Sequence, residues 1–191
     1  MAESWDIADV VEEIRRVEPS EVLFAESSKN EAIFSPITKV LSEVSISYLE
    51  DKAFEHQRGY ERLTDQFKTV TLEGFGCENM KAAVCAAAAV VYYVRKTQKQ
   101  GIEHLTRIET YWLDNYLLVD DLSRQNLELF KNIRTGTRKA TLLGVIDRTA
   151  TAMGARLLAN WLRYPLVDPD AIRLRLDAVQ EVKENIQLRR G

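Results

Sequence analysis

The sequence is poor in the residues that build disulfides, metal sites and reactive nucleophiles. Its 191 residues include two cysteines and two histidines. Cys77 and Cys85 lie in a segment with helical spacing and are separated by about two helical turns, which is too far for a disulfide. His56 and His104 have no cysteine, serine or second histidine at a spacing that suggests a zinc site or a catalytic triad, so we expect both on the surface. We therefore expect buried thiols, a reducing compartment and a cytoplasmic location.

Long apolar runs and a strong charge of one sign are also missing. The longest apolar run, AAVCAAAAVVYYV (82–94), is too short and too rich in alanine to span a bilayer. The net charge is −3. Residues 1–100 carry 12 basic and 17 acidic side chains, and residues 101–191 carry 14 and 12. Neither half has the basic excess that is typical of a stand-alone nucleic-acid-binding domain.

No complete catalytic or phosphate-binding motif is present. The stretch EGFGCEN (73–79) contains G-x-G, but the third glycine of the dinucleotide fingerprint would fall at Asn79, so it predicts a tight turn before a helix. RTGTRKAT (134–141) has Arg138 where a P-loop needs its second glycine. Asp120 and Asp121 precede a helical segment, where acids favour the helix dipole. The sequence therefore predicts no catalytic, cofactor-binding or metal site.

The first half of the chain has an α/β pattern. Residues 4–17 have helical spacing, with Ser4 as the expected N-cap. Residues 21–26 and 44–50 have the length and composition of strands. A helix over 52–67 is expected after Asp51 as its cap, and residues 78–98 predict a long helix. Its alanines cover most of its circumference, so we expect this long helix in the interior.

The polar stretch TQKQG (97–101) predicts a boundary between domains at 1–100 and 101–191. Residues 107–121 predict two short strands around a turn at Asp114 and Asn115. The rest of the chain predicts helices over 122–133, 140–149, 151–163 and 168–190, the last with Asp168 as cap and Pro169 in its first turn.

The segment TAMGARLLANWLRYPL (151–166) has the most distinctive pattern. Thr151 is the expected N-cap, and Pro165 stops the helix. An apolar stripe follows along one side, formed by Met153, Leu157, Leu158, Trp161 and Leu162. One amphipathic helix remains after it, which covers only some of that stripe. We therefore expect that the chain is a piece of a larger protein and that part of the stripe is exposed or repacked.

The loop before this helix is basic. Its cations are Lys131, Arg134, Arg138 and Lys139. Such a loop is either solvated or in contact with the phosphates of a nucleic-acid backbone. Both interpretations stay open at this point.

Four stretches resemble the bacterial MutS family of DNA mismatch repair proteins. They are LTDQFKTVTLEGFGCEN (63–79), YYVRKTQ (92–98), RQNLEL (124–129), and the spacing M-G-x-R-x-L-x-x-W-L-x-x-P-L from Met153 to Leu166. They follow the family order and extend over nearly the whole chain. The last two together are specific, and the chain is identified on them as a member of this family.

The resemblance implies a mixed α/β, predominantly helical fold. Residues 1–100 correspond to the later part of the connector domain, which is an RNase H-like α/β unit, and residues 101–191 to the start of the mostly helical core or lever domain. The family's mismatch-reading Phe-x-Glu motif, clamp and Walker ATPase domain are not in this sequence. The chain itself is therefore not expected to be an enzyme, and the clustered acids of a nuclease are also missing.

In the whole protein, the resemblance implies a homodimeric, DNA-dependent ATPase that binds mismatched duplex DNA, uses ATP and Mg²⁺, and docks MutL. The connector and lever would transmit ATP-dependent change between the ATPase and DNA-binding ends. Residues assigned to the junction of these domains are the polar Arg124, Asn126 and Glu128 and the apolar Met153, Trp161 and Leu162. The alternative function is a module that binds nucleic-acid backbone through the 131–139 loop.

Overall fold

A computed structural model gives the fold, and it describes residues 1–4, 6–41, 44–98, 101–185 and 187, apart from the side chains at 30 and 33. The chain forms two compact units, Met1–Trp112 and Leu113–Gly191. The sequence places a domain boundary earlier, near residue 100, and residues 99 and 100 lie outside the described residues. That boundary stays a prediction. The fold class, mixed α/β and predominantly helical, is confirmed.

The first unit contains a small parallel sheet. Its helices and strands are α1 (Ile7–Val17), β1 (Glu21–Ala25), α2 (Ser35–Val40), β2 (Ser45–Leu49), α3 (His56–Phe67) and α4 (Lys81–Thr97). β1 pairs with β2 in a register that places Glu21 beside Ser45 and Ala25 beside Leu49. Both strands and the long helix were expected from the hydrophobic pattern, and they are confirmed.

The N-caps of two helices differ from the prediction. α1 begins at Ile7 because the carboxylate of Asp6 accepts a hydrogen bond from the backbone N–H of Ala8 at 2.8 Å, so Ser4 as cap is wrong. Asp51 is also wrong as a helix cap. Residues 51–54 form a 3₁₀ turn, α3 begins at His56, and the Asp51 carboxylate instead accepts from the Ser27 N–H at 3.0 Å.

The core of the first unit lies where α4 packs against α3 on one side and the sheet on another. Leu63, Leu72 and Val84 are fully buried between α3, α4 and the turn before α4. A second cluster joins Leu49 of β2 to Ala89 of α4. The expectation of an interior helix holds for only part of the α4 surface, because its alanines divide by face. Ala83, Ala88 and Ala89 are buried, whereas Ala82 and Ala86 are exposed.

Arg62 of α3 ties three elements of this unit together. Its guanidinium donates to the carbonyl oxygens of Ala53 at 3.2 Å and Ala88 at 3.0 Å. The same group lies 4.9 Å from the centroid of the Tyr92 ring. Desolvation lowers the pKa of this guanidinium from its usual value. Arg62 therefore joins the 3₁₀ turn, α3 and α4 through polar contacts beside the apolar core.

The second unit is helical and has little buried interior. Its helices are α5 (Asp121–Asn126), α6 (Leu142–Ile146), α7 (Ala152–Arg163) and α8 (Pro169–Glu184). Among the residues described in this unit, Arg124, Thr141 and Leu143 are buried. The predicted cap of α8 is confirmed, since the Asp168 carboxylate accepts from the N–H groups of Asp170 and Ala171.

Two predictions for residues 107–133 are wrong. Residues 107–121 do not pair with one another as strands. Instead Leu113–Asn115 forms a 3₁₀ turn, and Tyr116 forms an isolated antiparallel bridge with Leu166. The helix expected over 122–133 ends at Asn126, because Glu128 has a left-handed backbone with φ of 46°. No helix in the described parts of the chain is long and apolar enough to cross a membrane.

The contact between α3 and α4 provides a test of the core. A methyl group added at Gly59 would lie 3.0 Å from the Cβ atom of Ala88, which is fully buried. We expect Gly59→Ala to lower the free energy of unfolding by about 1 kcal/mol. Overpacking costs ~1–3 kcal/mol, and this cost exceeds the gain in helix propensity of about 1 kcal/mol. Urea unfolding followed by far-UV circular dichroism measures this change.

Gly74→Ala is the control, since no atom lies within 4 Å of the added methyl group. Its free energy of unfolding should stay within about 0.5 kcal/mol of the parent value. A Gly59→Ala chain as stable as the parent would show that the helices do not approach as closely as described.

Candidate interdomain surface and basic loop

The basic loop closes on itself through Asn132. The Asn132 side-chain oxygen accepts from the N–H groups of Arg134 and Thr135, each at 3.1 Å. The Asn132 N–H donates to the carbonyl of Thr137, and the Gly136 N–H donates to the carbonyl of Asn132, each at 2.8 Å. Gly136 has φ of 65°, which glycine adopts without strain. The loop therefore has a defined conformation rather than being merely a polar connection.

Thr141 locks this loop to the start of α6. It is 1% exposed, and its hydroxyl donates to the carbonyl of Arg138 at 2.8 Å while accepting from the Gly144 N–H at 3.0 Å. A Cβ atom at Gly144 would lie 2.3 Å from the Arg138 carbonyl oxygen. Glycine at 144 is therefore required for the loop to lie this close to α6.

The four cations of the loop differ in their surroundings. The Arg138 guanidinium forms an ion pair with Asp147, and Lys131 also has an interaction within the chain. Arg134 and Lys139 are exposed to solvent. From the sequence alone the four cations look equivalent, and no local pattern indicates the Arg138–Asp147 pair. Contact of this loop with a DNA backbone stays a prediction.

Asp147 is held by three donors. Its carboxylate accepts from the hydroxyl of Thr149 at 2.6 Å and the N–H of Thr149 at 3.0 Å, in addition to its contact with Arg138. The Thr149 hydroxyl, the Thr149 N–H and then Arg138 lower the pKa of Asp147 from 3.8 to about 2. Asp147 thus joins the loop to the connection between α6 and α7.

The three polar residues predicted at the domain junction occupy different environments. Arg124 is buried, with its guanidinium 3.5 Å from the carboxylate of Asp121. Asn126 is exposed at the end of α5. The Glu128 carboxylate accepts from the Ile133 N–H at 2.8 Å, and the Glu128 carbonyl accepts from the Leu142 N–H at 3.0 Å. Glu128 therefore braces the basic loop, and the junction roles of all three stay predictions.

Asp120 acts as the N-cap of α5, as its position before a helical segment predicts. Its carboxylate accepts from the Ser123 N–H and from the Ser123 hydroxyl, each at 2.8 Å. These two hydrogen bonds, the backbone one first, lower the pKa of Asp120 from its usual value. Asp120 and Asp121 therefore stabilise a short helix.

The apolar stripe of α7 is divided between a covered and an exposed side. The Thr151 cap is confirmed, with its hydroxyl accepting from the Gly154 N–H at 3.1 Å. Leu158, Trp161 and Leu162 are half-buried. Met153 is 78% exposed and Leu157 is 51% exposed. The expectation that part of the stripe is exposed is therefore confirmed, and its exposed part is the N-terminal half.

The C-terminal end of α7 is held by contacts that we call the α7 anchor: the Tyr116–Leu166 bridge, the ring contact of Tyr164 with Tyr116, and Arg163 over Phe130. The two tyrosine rings meet edge to face with centroids 5.3 Å apart. The Arg163 guanidinium lies 5.4 Å from the centroid of the Phe130 ring. The α7 anchor fixes one end of a helix whose other end carries exposed apolar side chains.

No catalytic arrangement emerges from these contacts. Within the described ranges, no group of three or more His, Cys, Asp or Glu side chains is placed to hold a metal ion. Cys77 is buried, Cys85 is half-buried, and desolvation raises the pKa of both thiols. Cys77 lies in the turn before α4 rather than in the helix, which corrects the sequence interpretation. His104 is exposed, whereas His56 is half-buried with its ring 6.3 Å from that of Tyr60.

Ala140 allows the backbone of the locked loop to be tested. It has φ of 63°, in the left-handed region that costs a residue with a Cβ atom roughly 1–2 kcal/mol. We expect Ala140→Gly to stabilise the loop by about 1 kcal/mol, seen as slower hydrogen exchange at the amides of Gly144 and Val145. Ala150→Gly is the control and should speed exchange slightly, because Ala150 is not among the residues with positive φ. Faster exchange in Ala140→Gly would contradict the left-handed backbone.

The Asp147 carboxylate should titrate well below the usual range. Because its pKa is lower in the folded chain, near 2, than the ordinary 3.8, its contacts stabilise the fold above about pH 4 and lose that effect as the pH falls toward 2. Carbon-13 NMR of the carboxyl group should give the midpoint near 2. Thr149→Val should raise the pKa toward its ordinary value, because it removes the hydroxyl that has the largest single effect, although the Thr149 backbone N–H remains as a donor. A midpoint at or above the ordinary value would refute the cluster.

Comparison with known proteins agrees with this two-part organisation. The family model for MutS domain II matches residues 1–109, and the model for MutS domain III matches residues 123–191. The DNA mismatch repair protein MutS of Desulfosudis oleivorans is 43% identical over 191 residues, which is 100% of this chain and 22% of that protein.

Two further relatives with the same description support the match. MutS of Desulfatibacillum aliphaticivorans is 46% identical over 178 residues, which is 93% of this chain and 20% of that protein. MutS of Thermosynechococcus vestitus is 36% identical over 194 residues, which covers 97% of this chain and 22% of that protein. The chain thus spans about a fifth of the length of these relatives. The chain belongs to the MutS family of DNA mismatch repair proteins and matches its domains II and III.

Proposed function

We propose that this chain is the connecting part of a MutS-type mismatch repair protein and couples ATP-dependent change at one end of that protein to DNA binding at the other. Its match to two consecutive MutS domains supports this role. ATP, Mg²⁺ and mismatched duplex DNA would then be bound by parts of the protein outside this chain. A second MutS subunit and MutL are the proposed protein partners.

A cytoplasmic location is part of the same proposal. Both cysteines are free thiols, which suits a reducing compartment. The relatives named above carry out their role on DNA, according to their description as DNA mismatch repair proteins.

The observation that carries the proposal is the contrast between the two ends of α7. Its C-terminal end is held by the α7 anchor. At its N-terminal end, Met153 and Leu157 expose most of their surface. Coupling between sites is carried by packed elements that have two discrete arrangements. A helix held at one end and open to a neighbour at the other is suited to this role, because a neighbouring domain can act on its exposed end.

Burial of this exposed surface by a neighbouring domain would contribute useful free energy. A large apolar side chain contributes roughly 1.5–3 kcal/mol when it is fully removed from water. Coupling free energies between sites are typically about 1–3 kcal/mol. Met153 and Leu157 are therefore sufficient in principle to make the position of a neighbouring domain depend on the position of α7.

The test replaces the matching region of Desulfosudis oleivorans MutS with this chain, since the match covers all 191 residues. The doubly substituted chimera, Met153→Gln with Leu157→Gln, should retain mismatch binding and basal ATP hydrolysis. Its ATP-triggered release from mismatched duplex should fall about fivefold or more, because the coupling contact is lost. Fluorescence anisotropy with labelled duplex measures binding and release.

Arg156→Gln is the matched control, because Arg156 is an exposed and already polar position on the same helix. It should release DNA as the unsubstituted chimera does. Normal release by the double variant would remove α7 from the coupling route. ATP turnover or mismatch preference by the isolated chain would contradict the proposal that these activities lie in other parts of the protein.

A further inference from the structure

α8 is not fixed in place by a buried core. None of its residues is buried, and its apolar side chains Ile172, Leu174, Leu176, Val179 and Val182 are all exposed. Both clusters of buried apolar residues in the described parts of the chain lie within Met1–Trp112. The backbones of α7 and α8 also approach each other closely at few points. Packing therefore leaves the direction of α8 weakly determined.

The segment between α7 and α8 fixes where α8 begins. Leu117 donates from its N–H to the carbonyl of Pro165 at 2.8 Å, and Val167 donates to the carbonyl of Asn115 at 3.4 Å. Asp168 then caps the first turn of α8. None of these hydrogen bonds involves a residue beyond the first turn of the helix. They hold its starting point but do not fix the direction of the sixteen-residue helix that follows.

Within the described residues, a cation–π contact with α7 acts further along the helix. The Arg175 guanidinium lies 4.4 Å from the centroid of the Trp161 ring, within the range of a cation–π interaction. Both side chains are half-buried. Trp161 lies near the end of α7 that the α7 anchor holds, so the ring is a fixed point for Arg175.

The neighbouring Arg173 provides a contrast on the same helix. Its guanidinium pairs with Asp170 of α8 itself at 2.8 Å, and both side chains are largely exposed. An ion pair within one helix cannot orient that helix against another. The two arginines therefore have different roles, although they are two residues apart and chemically identical.

We propose that the contact of Arg175 with Trp161 is the joint that sets the direction of α8 relative to α7. Arg175 is a positioning residue in this arrangement, and its guanidinium packs over the Trp161 ring. When the contact breaks, α8 turns about the segment between the two helices, which stays bonded to Asn115 and Leu117. The use of this joint in coupling ATP to DNA binding rests on the proposed function, whereas the joint itself does not.

The test measures the distance between the two helices in this chain. Spin labels are placed at Arg156→Cys on α7 and Lys183→Cys on α8, both exposed positions, in a chain that also carries Cys77→Ala and Cys85→Ala. Double electron–electron resonance should give one main distance for the otherwise unsubstituted chain. In Arg175→Met, which keeps the aliphatic stem, the population at other distances should rise about fivefold, because a cation–π contact is lost.

Three further variants make the result specific. Arg173→Met should leave the distance distribution unchanged. Arg175→Lys and Trp161→Phe each keep a cation and a ring, and should give distributions between those of the parent and Arg175→Met. Far-UV circular dichroism establishes that each variant retains its helices.

An unchanged distribution in Arg175→Met, or equal broadening in Arg173→Met, would overturn the joint. If Arg175→Met loses helix, the Arg175→Lys and Trp161→Phe distributions decide the outcome, and both must be broader than that of the parent. The distances are measured without ATP or DNA, so a failure here is separate from a failure of the MutS chimera. A fixed distance in all variants together with lost release in the chimera would reject the joint and retain the proposed function.

Discussion

The antiparallel bridge between Tyr116 and Leu166 is the contact on which the second unit depends. The described residues of this unit form almost no buried apolar interior, so the hydrophobic effect does not by itself fix the relative positions of its helices. The backbone bonds around the bridge bring the start of the unit beside the end of α7. The edge-to-face contact of Tyr116 with Tyr164 and the two arginine–aromatic contacts also involve the C-terminal end of α7. Directional polar and aromatic contacts thus hold the arrangement that a core holds elsewhere.

The first unit follows a more familiar design. Small side chains on α4 let α3 and the sheet approach closely, and the buried leucines and valines fill the spaces between them. Arg62 adds polar contacts to the carbonyl groups of Ala53 and Ala88 beside this core. The two units differ in how they respond to change. The first tolerates little change in side-chain volume, whereas the second is sensitive to the loss of a few specific contacts.

Features governed by short-range chemistry could be predicted from the sequence. The Thr151 cap, the Asp168–Pro169 start of α8 and both strands depend on residues within a few positions of one another. The prediction of paired strands at 107–121 is wrong because Tyr116 pairs with Leu166, far along the chain, rather than within a local hairpin. The prediction of Asp51 as a helix cap is wrong for a similar reason, because its carboxylate accepts from the distant Ser27 N–H. Residues that are distant in the chain and meet only when it folds leave no local pattern in the sequence.

The candidate surface shows the same division. Amphipathic spacing predicted the stripe on α7 and a basic loop before it, and both are present. Spacing did not show that Glu128 and Thr141 hold that loop, or that Arg138 is engaged by Asp147, because each of these contacts depends on a left-handed or tightly turned backbone. Charge alone made the four cations look equivalent. Their surroundings, visible only in the fold, distinguish them.

The close approach of Gly144 to the Arg138 carbonyl has a consequence for how this loop can vary. The distance leaves no room for a side chain, so the spacing between the loop and α6 is fixed in register as well as in space. The tip has a different constraint: a Cβ atom at Gly136 would meet no atom within 4 Å, but its φ of 65° favours glycine. Space therefore limits the loop at its base, and backbone conformation limits it at its tip. In engineering terms, a tolerated redesign of the loop keeps glycine at both 136 and 144.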